Sequence, residues 1–197
     1  MTRIIAGRAG SLTLEVPDSG TRPTSDRVRE SLFGSLESSG ILDDAVVLDL
    51  YAGSGALGLE AVSRGAVRAD LVEKAPKAAT VVQRNASRVG TALGASVRIT
   101  VHRAAADAFL RTPRGPYDLV FVDPPYNLSE GELTTTLELL VPHLAPEADV
   151  IIERARRANC SALVLTLDLQ ILGQRHKDIK NGLTTPPKLT LPNIIDM

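Results

Sequence analysis

Residues 46–61 read VVLDLYAGSGALGLEA: a short β-branched run enters a glycine-rich turn and continues into helix-forming residues. Gly53, Gly55 and Gly58 fall on the spacing G-x-G-x-x-G, where missing side chains let backbone amides approach a ligand at a helix N-terminus. A strand, a glycine turn and a helix in that order open a βαβ unit, so strands and helices should keep alternating outward from it. Strands are expected at 46–50 (VVLDL), 69–73 (ADLVE), 97–101 (VRITV), 118–122 (DLVFV) and 149–153 (DVIIE), with helices at about 56–64, 77–89 and 130–144. Pro76 suits a first helical turn, and Ala79, Val82, Ala86 and Val89 recur at three- and four-residue spacing to give one buried stripe. This is the pattern of an α/β protein, a mostly parallel sheet with helices on both faces.

Before the sheet, residues 3–16 carry short apolar runs around Gly7 and Gly10, which suits a small hairpin. Residues 25–38 are expected to form an amphipathic helix with Val28, Leu32 and Leu36 on its apolar side, Ser25 or Asp26 as cap, and Arg27 and Arg29 facing away. After the sheet, Leu163, Leu165, Leu167, Leu169 and Ile171 alternate with Thr166, Asp168 and Gln170 in strand fashion. The ending TTPPKLTLPNIIDM has three prolines and no repeat. The division expected is an N-terminal extension, residues 1–40, and a main domain, residues 41–197.

Composition narrows the function classes. With 197 residues, 44% hydrophobic and 23% charged, the chain can bury one sizeable core. Its apolar runs are far shorter than the roughly 18 residues that span a bilayer, and the start does not resemble an export signal. The single cysteine, Cys160, excludes a disulfide framework within the chain, and His102, His143 and His176 lack metal-ligand spacing. A cytoplasmic, metal-free protein is expected. Net charge is −1, but residues 41–153 are acidic and residues 154–197 basic. Arginine outnumbers lysine, which suits phosphate contacts and equally follows from a GC-rich genome.

The glycine loop alone fits a dinucleotide enzyme, with Glu73, 20 residues after Gly53, on a ribose. Asp49 weighs against that: a carboxylate beside pyrophosphate is poorly placed, whereas it suits a cationic amino-acid group. The stretch VFVDPPYN, residues 120–127, is more specific. Two prolines at a strand end freeze the backbone and leave carbonyl acceptors fixed in space, which suits recognition of an amine. A nucleobase amino group is a poor nucleophile because its lone pair is delocalised into the ring. Accepting its two hydrogens on the Asp123 carboxylate and the Pro124 carbonyl would aim that lone pair at a methyl group. Pro125 stiffens the turn, and Tyr126 offers a face on which a base can stack. The plain alternative is an ordinary strand-ending turn in which Tyr126 only packs.

The stretch D-x-Y-A-G-S-G resembles the cofactor loop of S-adenosylmethionine-dependent methyltransferases of the Rossmann-like class. That resemblance implies that Asp49, Tyr51, Ala52, Gly53, Ser54 and Gly55 pass the methionine part of the cofactor, that Glu73 holds the ribose hydroxyls, and that Asp107 in AAADAF lies near the adenine. For Asp107 a helix N-cap is the alternative. Asp123-Pro124-Pro125-Tyr126 resembles the (D/N)PP(Y/F) motif of amino-group methyltransferases.

RIIAG at 3–7 and TRPTSDRVRESLF at 21–33, followed by the glycine loop and DPPY, are similar to the bacterial RsmD-type 16S ribosomal RNA guanine-N2 methyltransferases over about residues 3–154. The resemblance implies a seven-stranded, mostly parallel sheet, guanine 966 of small-subunit RNA as target, and an assembled or partly assembled small subunit as partner. Residues 158–197 depart from the family, without an aromatic residue. Arg3, Arg22, Arg27 and Arg29 are then expected on RNA phosphates, the alternative being solvated charges balanced by nearby acids. A DNA adenine-N6 or cytosine-N4 methyltransferase would share both motifs but usually adds a larger recognition domain. A non-catalytic RNA-binding module would explain the arginines but not DPPY.

Overall fold

A computed structural model describes residues 2–17, 26–125, 127–152 and 163–166, the last by backbone only. The chain opens with two short antiparallel strands, β1 (Thr2–Arg3) and β2 (Thr13–Leu14), and helix α1 (Asp26–Ser38). The main sheet and its helices follow: β3 (Val46–Asp49), α2 (Ala56–Arg64), β4 (Arg68–Val72), α3 (Pro76–Leu93), β5 (Arg98–His102), α4 (Ala106–Leu110), β6 (Tyr117–Val122), α5 (Glu130–Leu140), β7 (Leu144–Ile152) and β8 (Leu163–Thr166).

Spatial order in the sheet is β5-β4-β3-β6-β7-β8, with β8 antiparallel to β7 and the other pairs parallel. Six strands, not the expected seven, lie among the described residues. The chain builds outward from β3 through β4 to β5, then returns to place β6 on the other side of β3. That reversal puts the topological switch point between β3 and β6, and open α/β sheets bind ligands beyond the carboxyl ends of the strands at such a point.

Strand positions match the alternating runs because both faces are covered. Leu119 and Phe121 enter the core shared with α1, α2 and α3, while Val120 and Val122 enter the core under α4 and α5. The expected stripe of α3 is buried at Ala79, Val82, Ala86 and Val89. Helix α5 is shorter than expected: Pro142 cannot donate to a continuing helix, and the chain turns through a 3-10 segment at Val141–His143 into β7, five residues before the expected start.

Helix α1 corrects the sequence reading. Its buried residues are Arg29, Phe33 and Leu36, so the inward face is rotated from the expected Val28, Leu32 and Leu36. Phe33 packs tilted against Phe121 with ring centroids 5.7 Å apart. On the same face Arg29 Nη2 donates to the Arg3 carbonyl at 2.9 Å and to Asp26 Oδ1 at 2.7 Å, while its Nε and Nη1 are buried without a partner among the described residues. Among the described residues no helix is long and apolar enough to cross a membrane.

Candidate functional site: the crevice at the ends of β3, β4 and β6

Parallel pairing brings the two motifs together. Asp49 stands level with Leu71 of β4 and Phe121 of β6, and Leu50 continues the ladder by donating to the Phe121 carbonyl at 3.1 Å. The glycine turn and Asp123 therefore leave the same edge of the sheet. Within the turn, the Ala52 amide donates to the Val72 carbonyl and the Gly55 amide to the Ala52 carbonyl. Gly55 has φ +82°, a conformation side chains disfavour, and starts α2 without a side-chain cap. Gly58 packs so closely on β4 that a Cβ would run into Leu71. Its amide donates to Asp49 Oδ2 at 3.2 Å.

Asp49 is 1% exposed, and its Oδ1 is buried with no hydrogen-bond partner among the described residues. Burial pushes its pKa up to about 7, against the Gly58 and Tyr51 amides, which lower it, and with a smaller push from the Glu73 charge. A buried carboxylate with an unanswered oxygen is suited to a cationic amine, so the donor set fits the amino-acid end of S-adenosylmethionine. Glu73 follows β4, half-buried. Its Oε2 accepts from the Gly53 amide at 3.0 Å and its Oε1 from the Ala75 amide at 2.7 Å. Each oxygen keeps a lone pair with which to meet a hydroxyl.

Asp123 is half-buried, Pro124 buried and Pro125 exposed. The Leu128 amide closes on the Pro125 carbonyl at 2.9 Å, whereas no backbone donor among the described residues takes the Pro124 carbonyl. Tyr126 lies outside the described residues. Tyr51 turns toward α5, its hydroxyl 3.4 Å from Thr136 Oγ1. Thr136 spends its own hydrogen on the Glu132 carbonyl, so Tyr51 is the donor. Burial chiefly raises the Tyr51 pKa, against the hydrogen bond with Thr136, which lowers it, and with smaller pushes upward from the Asp107 and Glu132 charges. Asp107 is exposed and is not the helix cap; that position is Ala105, extended at φ −71°, ψ 149°.

The arginines divide. Arg3 and Arg27 are exposed, Arg3 lying 3.9 Å from Asp26. Arg22 falls outside the described residues. Arg29, expected on a phosphate, has no exposed side-chain surface and is held by Arg3 and Asp26, so it is corrected to an internal anchor of α1. Sequence reasoning missed the polar residues that fasten the extension to the main domain. Glu60, fully buried on α2, accepts from the Ile5 and Ala6 amides, and Asn85, fully buried on α3, bonds to Glu15 and Ser54. Polar side chains inside otherwise apolar helix faces are the only signal of them.

Comparison with known proteins agrees with this fold. The model of the family described as Conserved hypothetical protein 95 matches residues 2–177. The chain is 42% identical over 154 residues to "Ribosomal RNA small subunit methyltransferase D" of Escherichia coli (strain K12), covering 77% of this chain and 73% of that one. It is 34% identical over 148 residues to "Putative rRNA methyltransferase YlbH" of Bacillus subtilis (strain 168), covering 75% and 78%. Among solved structures, "Putative methyltransferase yhhF from Escherichia coli" superposes with TM-score 0.66 at 40% identity over 77% of this chain and 79% of that one. A stretch of 43 residues is 49% identical to "Glycolate oxidase 1" of Zea mays, but spans only 12% of that protein and does not bring its activity with it. A Rossmann-like sheet with an acid-flanked glycine loop and the Asp123-Pro124-Pro125 turn at one edge, together with these matches, makes the chain a member of the RsmD-type family of S-adenosylmethionine-dependent RNA methyltransferases.

Proposed function

We propose that this protein methylates the N2 amine of guanine 966 in 16S ribosomal RNA, within a small ribosomal subunit or its assembly intermediate, using S-adenosylmethionine. The observation that carries the reading is the shared edge: a buried carboxylate with an unanswered oxygen, Asp49, lies one strand from a turn that offers the Asp123 carboxylate and the Pro124 carbonyl. When bound, S-adenosylmethionine supplies an electrophilic methyl group on a positively charged sulfur. The protein's part is orientation. Asp123 and Pro124 accept the two amine hydrogens, drawing the nitrogen lone pair out of the ring, and Asp123 can hold the proton released. Tyr126 stacks on the splayed base. The names of the relatives in Escherichia coli and Bacillus subtilis support ribosomal RNA as substrate. Transfer of radiolabel from S-adenosylmethionine to unmethylated small subunits, mapped to one guanine, tests the proposal; labelling of DNA instead, or of neither, rejects it.

Two results should follow. The first is a pH dependence of cofactor binding. Asp49 must be ionised to pair with an ammonium, and its pKa in the ligand-free fold is about 7. S-adenosylmethionine affinity should therefore fall as pH drops from 7 to 5, by up to about tenfold per unit. Asp49→Asn should lose this dependence. The same shift acts on stability with the opposite sense. A carboxyl whose folded pKa is raised favours the fold below its unfolded pKa and loses that contribution as pH rises through about 7, so the ligand-free Asn variant should gain stability over the parent at pH 8 but not at pH 4. Calorimetry and thermal melts across that range check both signs.

The second result concerns RNA. Arg3, Arg22 and Arg27 are assigned to phosphates near the target. Replacing all three with Gln should weaken subunit binding and flatten the dependence of log affinity on log salt by about 0.7–0.9 for each phosphate no longer neutralised. S-adenosylmethionine affinity should stay at the parent value. A triple variant with the parent slope would move recognition elsewhere, first to Arg154, Arg156 and Arg157.

A further inference from the structure

Asn85 lies in the middle of α3 with no exposed surface, and its amide is used at both ends. Oδ1 accepts from the Glu15 amide at 2.9 Å. Nδ2 donates to the Glu15 carbonyl at 2.9 Å and to the Ser54 carbonyl at 2.8 Å. One side chain thus joins the segment that leaves the N-terminal hairpin to the centre of the glycine loop, 70 and 31 residues away in sequence. Both amide hydrogens are committed, one to each partner.

The Ser54–Gly55 peptide is fixed from both sides. Its carbonyl is drawn toward α3 by Asn85, and its amide is turned back to the Ala52 carbonyl at 2.6 Å. Gly53, just before it, is held by Glu73. These three hydrogen bonds restrain the turn, and one of them passes through a residue that also grips the extension. Glu15 is itself tied to α3 by Arg84 and Arg88, at 3.4 and 3.6 Å. A shift of the extension therefore pulls on the same helix and the same amide that set the loop.

We propose that Asn85 is a positioning residue that couples the docking of the N-terminal extension to the shape of the cofactor loop, so that RNA held at the extension tightens the grip on S-adenosylmethionine. The inference rests on the methyltransferase reading above. A residue that only stabilised the fold would lower the melting temperature without linking the two ligands.

The test measures S-adenosylmethionine binding to the full chain, alone and with saturating small ribosomal subunits. In the parent, subunits should tighten cofactor binding at least about fivefold. Asn85→Ala should raise the KM for S-adenosylmethionine about tenfold, leave kcat within about twofold and abolish the tightening. Glu15→Pro removes the amide hydrogen that Asn85 accepts and spares the bond to Ser54. It should keep the parent affinity in the free protein yet lose the tightening, whereas Glu15→Gln, which keeps the backbone donor and gives up only the exposed ion pairs to Arg84 and Arg88, should keep the tightening. Should Asn85→Ala fail to fold, the Glu15 pair still decides. Unchanged tightening in Glu15→Pro, or a parent that binds both ligands without linkage, overturns the proposal. A parent that binds neither ligand overturns the methyltransferase reading itself.

Discussion

Asp123→Ala should cut methyl transfer at least about a hundredfold while changing S-adenosylmethionine affinity by less than about twofold, the size seen when one preorganised polar group at a reacting atom is removed. The asymmetry follows from placement. Asp123 leaves the end of β6, while the groups assigned to the cofactor, Asp49 to Gly55 and Glu73, leave β3 and β4. In the proposed mechanism the alanine variant still binds the donor but presents the base with only the Pro124 carbonyl, so the amine stays conjugated with its ring. Asp123→Asn should retain part of the rate, because an amide oxygen still accepts one hydrogen bond although it cannot hold a proton. Tyr126→Ala should weaken capture of the base by roughly 1–3 kcal/mol of stacking and leave donor binding alone. Single-turnover kinetics with saturating donor read these effects. Parent rates in Asp123→Ala would mean that the amine finds its acceptors elsewhere.

What is legible in the sequence is local and repetitive. The strands of the parallel sheet are readable because burial on both faces leaves continuous apolar runs, and the cofactor loop and DPPY because each is a short contiguous word. What stays hidden depends on partners far along the chain. In α1, Val28, Leu32 and Leu36 and the true set Arg29, Phe33 and Leu36 are both acceptable helical spacings; hydropathy prefers the first because it cannot know that the Arg3 carbonyl waits for the guanidinium. Asp70, in a strand that reads as apolar, is answered by the Tyr117 hydroxyl at 3.0 Å and by His102 at 2.8 Å, from two other strands. Asp107 has the chemistry of a cap, but the helix begins at Ala106, where only the backbone angles of Ala105 decide. Asn85 stands out locally only as a polar residue on an apolar helix face; its partners cannot be read there, since two of its hydrogen bonds go to Glu15 in the extension and one to Ser54 in the glycine loop.

Glu73→Ala should weaken S-adenosylmethionine binding at least tenfold, and the structure makes that a lower bound. Two charge-assisted hydrogen bonds to the ribose would be lost, each worth roughly 1.5–3 kcal/mol, and about 1.4 kcal/mol already accounts for a factor of ten. The same change also releases the Gly53 and Ala75 amides that Glu73 now satisfies. Freed from Glu73, Gly53 regains conformational freedom at a positive φ of 57°, so the loop must be ordered again at each binding event. The two contributions separate in Glu73→Gln. One amide oxygen can still hold Gly53, while the other position becomes a donor and meets the Ala75 amide unfavourably. That variant should bind better than Glu73→Ala and worse than the parent. Isothermal calorimetry with S-adenosylmethionine and, as a control, with NAD gives the ordering. Unchanged cofactor affinity in Glu73→Ala, or NAD held more tightly than S-adenosylmethionine by the parent, would remove Glu73 from the ribose and reopen the dinucleotide interpretation of the glycine loop.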